Sequence, residues 1–155
     1  MKILILYYSK TGHTLEAANA VAEGIREAGS QADIVGVDEF DPVMVSACDG
    51  FIVGSPCWAG SLTPNGVALP VQRALDSLPA DSLKGKRCGG IAVHSWMGGK
   101  TTERQLGGII TGKGCGDYRS GPLARAGVPF SAWTGPAVKP KDEERFKAYG
   151  AAFVN

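Results

Sequence analysis

The sequence predicts an α/β fold, a five-stranded parallel sheet with helices on both faces, and three observations predict it. Apolar runs of strand length alternate along the chain with longer stretches of helical periodicity. The first run, Ile3, Leu4, Ile5, Leu6 and Tyr7, is unbroken, as a central parallel strand covered on both faces requires. That run empties into Ser9-Lys10-Thr11-Gly12-His13-Thr14, a turn dense in hydroxyls that leads straight into a helix, and loops after the strands of such sheets share the edge where ligands bind.

The elements follow in order. Leu15, Ala18, Val21, Ala22 and Ile25 repeat at helical spacing, and Gly29 is placed to close that helix in a left-handed conformation. Ala32 to Val37 alternates like an edge strand, Asp41 to Asp49 reads as weak helix or loop, and Gly50-Phe51-Ile52-Val53-Gly54 is a second buried run. A helix is expected from about Pro70, with Val71, Ala74, Leu75 and Leu78 on one face, and Ile91-Ala92-Val93 makes a fourth strand. Gly98 to Gly121 is dense in glycine, with Thr101 to Ile110 as its helical stretch, and Phe130 to Trp133 is the candidate fifth strand. The last helix opens at Pro140, carries Asp142, Glu143 and Glu144 in its first turn, and presents Phe146, Tyr149 and Phe153 as a core stripe.

At 155 residues the chain fits one domain, 1–155, large enough to build a core without metal or disulfide staples. The apolar runs fall short of membrane-spanning length, and MKILILYYSK is too short an apolar block for a signal peptide and lacks a cleavage site, so a cytoplasmic protein without membrane insertion is expected. Cys48, Cys57, Cys88 and Cys115 are too widely spaced for a zinc or C-x-x-C redox motif; they read as reduced and structural, except that Cys57 falls in a candidate site loop. His13 and His94 lie beside site loops but lack partners for a triad or a metal cage, so neither a metal site nor a catalytic acid or base is expected. The net charge is +1, yet residues 1–80 hold four basic and nine acidic side chains and residues 81–155 hold twelve and six. The basic residues are scattered rather than gathered on one strip among aromatics, which argues against a nucleic-acid partner and for two differently charged solvated faces.

The first loop has the chemistry of a phosphate cradle. A terminal phosphate there meets unsatisfied backbone N–H groups at a helix start, the positive end of the helix dipole, and the hydroxyls of Ser9, Thr11 and Thr14, while Gly12 lets the backbone come close. An ordinary helix cap needs one hydroxyl, and this loop supplies three. Rival loops fail: a dinucleotide fingerprint needs G-x-G-x-x-G where only Gly12 stands, and Gly98-Gly99-Lys100-Thr101 resembles the end of a Walker A loop whose first glycine is here His94. A phospho-acceptor receiver domain needs acidic groups at the strand ends, where this chain has Tyr7-Tyr8.

Ser9, Thr11, Gly12 and Thr14, with Ile5, Leu6, Tyr7, Ala18 and Val21 at their offsets, resemble the first FMN-binding loop of the flavodoxins. The resemblance implies the doubly wound strand order 2-1-3-4-5, non-covalently bound FMN, and a ligand at the switch point between the first and third strands. It also implies that the next loops complete the site. Ser55-Pro56-Cys57-Trp58-Ala59-Gly60 follows the third strand, with Trp58 as candidate wall for the flavin ring; Pro56 is more like the flavodoxin-fold quinone reductases. Ser95-Trp96-Met97-Gly98-Gly99-Lys100 follows the fourth, with Trp96 a possible second wall. The acidic residues usual there in flavodoxins are replaced by Lys100 and, one turn on, Arg104. The implied function is electron transfer through FMN to a redox partner protein; the alternative is an FMN-dependent oxidoreductase of the quinone-reductase type that takes hydride from NAD(P)H. Length favours the carrier; near-neutral charge, Pro56 and Lys100 favour the enzyme.

Overall fold

The computed structural model describes residues 1–58, 66–95, 98–127 and 137–155, apart from the side chain of Trp58. Its elements are β1 (Lys2–Tyr7), α1 (His13–Glu27), β2 (Gln31–Gly36), a 3-10 helix (Pro42–Ala47), β3 (Gly50–Trp58), β4 (Gly66–Val67), α2 (Leu69–Asp76), β5 (Arg87–His94), α3 (Gly99–Gly112), β6 (Asp117–Arg125) and α4 (Pro140–Val154). Five strands lie parallel in the order β2-β1-β3-β5-β6, and β4 pairs antiparallel with the end of β3. Counting the parallel strands alone, this is the expected doubly wound order.

Alternation along β1 builds the two cores. Ile3 and Ile5 face α1 and α4, where they pack with Val21, Ile25, Phe146 and Phe153. Leu4 and Leu6 face the opposite layer of α2 and α3, with Phe51, Leu75, Leu83, Leu106 and Ile110. Each such side chain, once fully buried, stabilises the fold by about 1.5–3 kcal/mol relative to exposure.

Helix α1 ends as expected. Gly29 sits at φ 80°, Ser30 N–H donates to the Ile25 carbonyl and Gly29 N–H to that of Arg26, so left-handed glycine satisfies the last carbonyls. Helices α1 and α4 approach closely because both carry glycine at the crossing: a Cβ on Gly24 would collide with the Lys147 carbonyl, and one on Gly150 with that of Val21.

The fifth parallel strand differs from the expectation. It is Asp117–Arg125, drawn from the glycine-dense segment, while residues 130–133 lie outside the described residues. It forms because β5 offers a whole parallel edge, registered Arg87 to Asp117 and His94 to Arg125 with an irregularity between Gly90 and Ala92. The remainder of that segment is α3, longer at both ends than its periodicity suggested. No described helix is long and apolar enough to cross a membrane.

Candidate functional site

Because the main strands are parallel, the loops after β1, β3, β5 and β6 leave the sheet at one edge, and strand order reverses between β1 and β3. Two helices start there in the same unusual way. The residue before α1, Gly12, has φ 91°, the residue before α3, Gly98, has φ 96°, and neither helix start receives a side-chain cap. The 3-10 helix is capped conventionally, Asp41 accepting from Val43 N–H at 2.9 Å. The first-turn N–H groups of a helix have no partner within it, and at the starts of α1 and α3 the glycine before the helix supplies no side-chain acceptor.

Around the α1 start, the Ser9 hydroxyl is buried and has no hydrogen-bond partner within the protein. A buried hydroxyl left unmade costs about 1–3 kcal/mol, which leaves Ser9 able to take an oxygen partner at this edge. Thr14 is buried, its methyl lying over Gly54, where a Cβ would come within 3.2 Å; this brings the first loop against the end of β3. Lys10 and Thr11 are exposed. His13 opens α1 half-buried, its Nδ1 3.4 Å from Glu16 Oε2, and Glu16 also accepts from Val138 N–H at 3.1 Å. One oxyanion with several lone pairs would satisfy the orphaned hydroxyl and the free N–H groups together.

The second predicted loop is in fact the tail of β3. Ser55 is fully buried, and its hydroxyl accepts from Ala68 N–H at 3.0 Å, fixing the entry to α2. Pro56 and Cys57 are half-buried, and Cys57 and Trp58 pair with Val67 and Gly66 of β4. Val67 N–H donates to Gln105 Oε1 at 2.9 Å, tying this return to α3. Ala59 and Gly60 lie outside the described residues.

In the third loop Trp96 and Met97 likewise lie outside the described residues. Arg125 Nε donates to the Ser95 carbonyl at 2.9 Å and Ala126 N–H to that of His94 at 3.0 Å, so the end of β6 props this loop. Gly99 is buried against the His94 ring, and Lys100 is exposed. Glu103 accepts from Tyr118 Oη at 2.9 Å, and burial together with that carboxylate pushes the Tyr118 phenol up. Thr102, which sequence reasoning missed, is fully buried with its hydroxyl unpartnered in the first turn of α3. A threonine in a helix turn carries no mark of its burial, which comes from packing alone.

Glycine-led starts of α1 and α3 and the unpartnered Ser9 and Thr102 hydroxyls, gathered at the loop edge of a parallel sheet with helices on both faces, mark a doubly wound α/β protein. The flavodoxin family model matches residues 5–121, and the chain belongs to the flavodoxin family. It is 32% identical over 102 residues to a diflavin flavoprotein of Synechocystis sp., covering 63% of this chain and 16% of that protein. A shorter stretch of 41 residues is 61% identical to an NAD(P)H dehydrogenase (quinone) of Rhodopseudomonas palustris, covering 26% of this chain and 21% of that one. The chain thus spans about a sixth to a fifth of the length of these relatives. A solved flavodoxin from the domain Archaea superposes with a TM-score of 0.78 over 99% of this chain and 96% of its own, at 17% identity, a likeness of fold.

Proposed function

We propose that the 155 residues act as one unit that holds FMN non-covalently in the cytoplasm and passes electrons through it to a redox partner protein. The observation that carries this reading is the buried, unpartnered Ser9 hydroxyl beside the uncapped, Gly12-led start of α1, which suits a terminal phosphate. Ser9, Thr11 and Thr14 would donate to that phosphate with the backbone N–H groups of the first turn of α1. Residues Lys10 and His13 would flank it, Ser55 to Trp58 of β3 together with Ala59 and Gly60 would wall the ring, and Ser95 to Lys100 would meet its other side. When bound, FMN supplies the one- and two-electron chemistry. The chain's own part is to fix the cofactor's position and set the charge around it, with no side chain acting as acid or base.

A second reading, an NAD(P)H-dependent oxidoreductase of the quinone-reductase type, draws on Pro56, Lys100 and the short high-identity match. Anaerobic titration separates the two. Purified protein should take up one equivalent of FMN and ignore FAD by calorimetry, bleach with dithionite, and stay oxidised with NADPH. Bleaching by NADPH alone moves the assignment to the reductase, and failure to bind FMN removes both.

A further inference from the structure

Apart from Lys10 in the first loop, the edge that carries the loops is divided by charge, and residues 59–65, 96–97 and 128–136 add no charged side chain to it. On the β2 side the chain presents Asp38, Glu39 and Asp41, and no Lys or Arg occurs between Arg26 and Arg73. The whole stretch from Gly50 to Gln72, including the β3 tail, is uncharged. Beyond it the charges change sign. Lys100 and Arg104 lie one turn apart on the exposed face of α3, and Arg125 is exposed at the end of β6. Glu103, the carboxylate between them in sequence, is held inward by Tyr118. Among the described residues neither Lys100 nor Arg104 has an ion-pair partner, and Arg125 donates to a neutral carbonyl, which leaves its charge unneutralised.

This placement is unfavourable for the isolated molecule. Lys100 stands in the first turn of α3, at the positive end of the helix dipole, and that turn holds no acidic residue, whereas α1 has Glu16 and α4 has Asp142 and Glu143 there. Three neighbouring cations repel one another, and apart from the bond of Arg125 to the Ser95 carbonyl they make no described polar contact that would offset this. Their field has an outward use, to steer and orient an incoming anionic surface.

We propose that Lys100, Arg104 and Arg125 form the docking bank for an acidic electron-transfer protein, beside the ring end of the site; this rests on the flavin reading above. The step is transfer of one electron from the reduced flavin to the partner's oxidised metal centre, with no bond made or broken.

The test uses the full chain loaded with FMN, occupancy checked by absorbance, reduced anaerobically and mixed with ferric cytochrome b5, an acidic probe, or ferric cytochrome c, a basic one. Transfer to cytochrome b5 should slow by about tenfold or more between low and about 0.5 M salt, while transfer to cytochrome c holds steady or quickens. Arg104→Glu should cut the low-salt rate with cytochrome b5 at least about threefold, leave flavin occupancy unchanged, and not slow cytochrome c. Loaded protein whose transfer to cytochrome b5 ignores salt, or is slower than to cytochrome c at low salt, overturns the docking bank alone. Hexacyanoferrate(III) responding to Arg104→Glu while cytochrome b5 does not would assign the bank to a small anion and also overturn it. Failure to load flavin overturns the flavin reading along with it.

Discussion

The two ends of the sheet are built from the same strands and treat their polar groups in opposite ways. At the end where β1 and β5 begin, Lys2 N–H donates to Asp49 at 2.7 Å, Lys86 Nζ to the Cys48 carbonyl at 2.5 Å, and Arg87 to both Asp117 and the Phe153 carbonyl. Lys113 Nζ caps the carbonyls of Asp76 and Leu78, and Ser82 Oγ is the unpartnered exception. An open cleft of about 840 Å³ lies at this end, lined by Met1, Cys48, Asp49, Lys84 and Arg87, but most of the polar groups around it are already engaged with the protein itself. At the other end the helix starts are uncapped and the Ser9 and Thr102 hydroxyls are unpartnered. The closed end holds the fold together; the open end leaves hydrogen-bonding groups unmet. A large concavity is thus a poorer guide to the site than unmet hydrogen bonds.

Alkali should break the closed end first, and this is the largest effect expected. Burial pushes the thiols of Cys88 and Cys48 and the phenols of Tyr118 and Tyr149 above their ordinary values, with the Cys115 and Glu103 side chains adding to the effect for Cys88 and Tyr118. A folded pKa above the unfolded one gives stability that is whole below the ordinary values of 9.0 and 10.0 and is lost as pH climbs past them toward the folded values. Urea midpoints measured from pH 8 to 11 should fall steadily above about pH 9, with flavin released at the unfolding transition rather than before it.

Arg87→Ala sharpens the contrast from the same side. It strips the Phe153 carbonyl of a charged donor at 2.6 Å and should cost about 1.5–3 kcal/mol in urea denaturation, while FMN affinity of the folded protein stays as it was. The open end should answer in reverse. Thr11→Val with Thr14→Val should weaken FMN by about 1–3 kcal/mol in calorimetry, and Ser9→Ala should weaken it by about 1 kcal/mol while leaving the apoprotein as stable or more so. A Ser9→Ala protein that is less stable without flavin and binds FMN normally would make that hydroxyl structural and dissolve the comparison.

Two smaller effects probe the loops around the ring. If Trp58 stacks on the flavin, Trp58→Ala should restore FMN fluorescence that the wild-type complex quenches, and a wild-type complex as bright as free FMN rules the stack out. Lys100→Gln should lower the potential of the second one-electron reduction by the equivalent of about 1 kcal/mol or less, because the exposed ammonium is screened by water. An unchanged potential, measured by equilibration with a reference dye, leaves Lys100 to the docking bank alone.

Legibility in the sequence followed burial. Strand β1 and α1 were readable because a strand covered on both faces is a plain apolar run and the helix that follows repeats its apolar residues locally. Strand β5 looked short because its first half contains Gly89 and Gly90, whose missing side chains make room for the hydroxyls of Tyr149 and Tyr118. Strand β6 was hidden for a related reason: it is a half-covered edge whose residues are mostly polar, glycine or proline, and its cover comes from Tyr149 of α4, far along the chain. The engagement of the Ser55 hydroxyl by Ala68 and the burial of Thr102 arise from pairing across the fold, which no local pattern encodes.

The close seam between α1 and α4 has a mechanical consequence for the cradle. Gly24 lies against the Lys147 carbonyl and Gly150 against that of Val21, Lys147 ties Glu23 and Glu27 at 2.8 Å each, and Glu16 takes the N–H of Val138 just before α4. The two helices are thus tied together along their length, and tilting the start of α1 would disturb α4 and its buried Phe146 and Phe153. On the proposed reading, an arriving phosphate would meet a socket braced in advance, and little of its binding energy would go into ordering the protein. The same coupling makes the far end of the chain a remote control on the grip: loosening α4 at its C-terminal turn would be felt as faster ligand escape from a loop more than a hundred positions earlier.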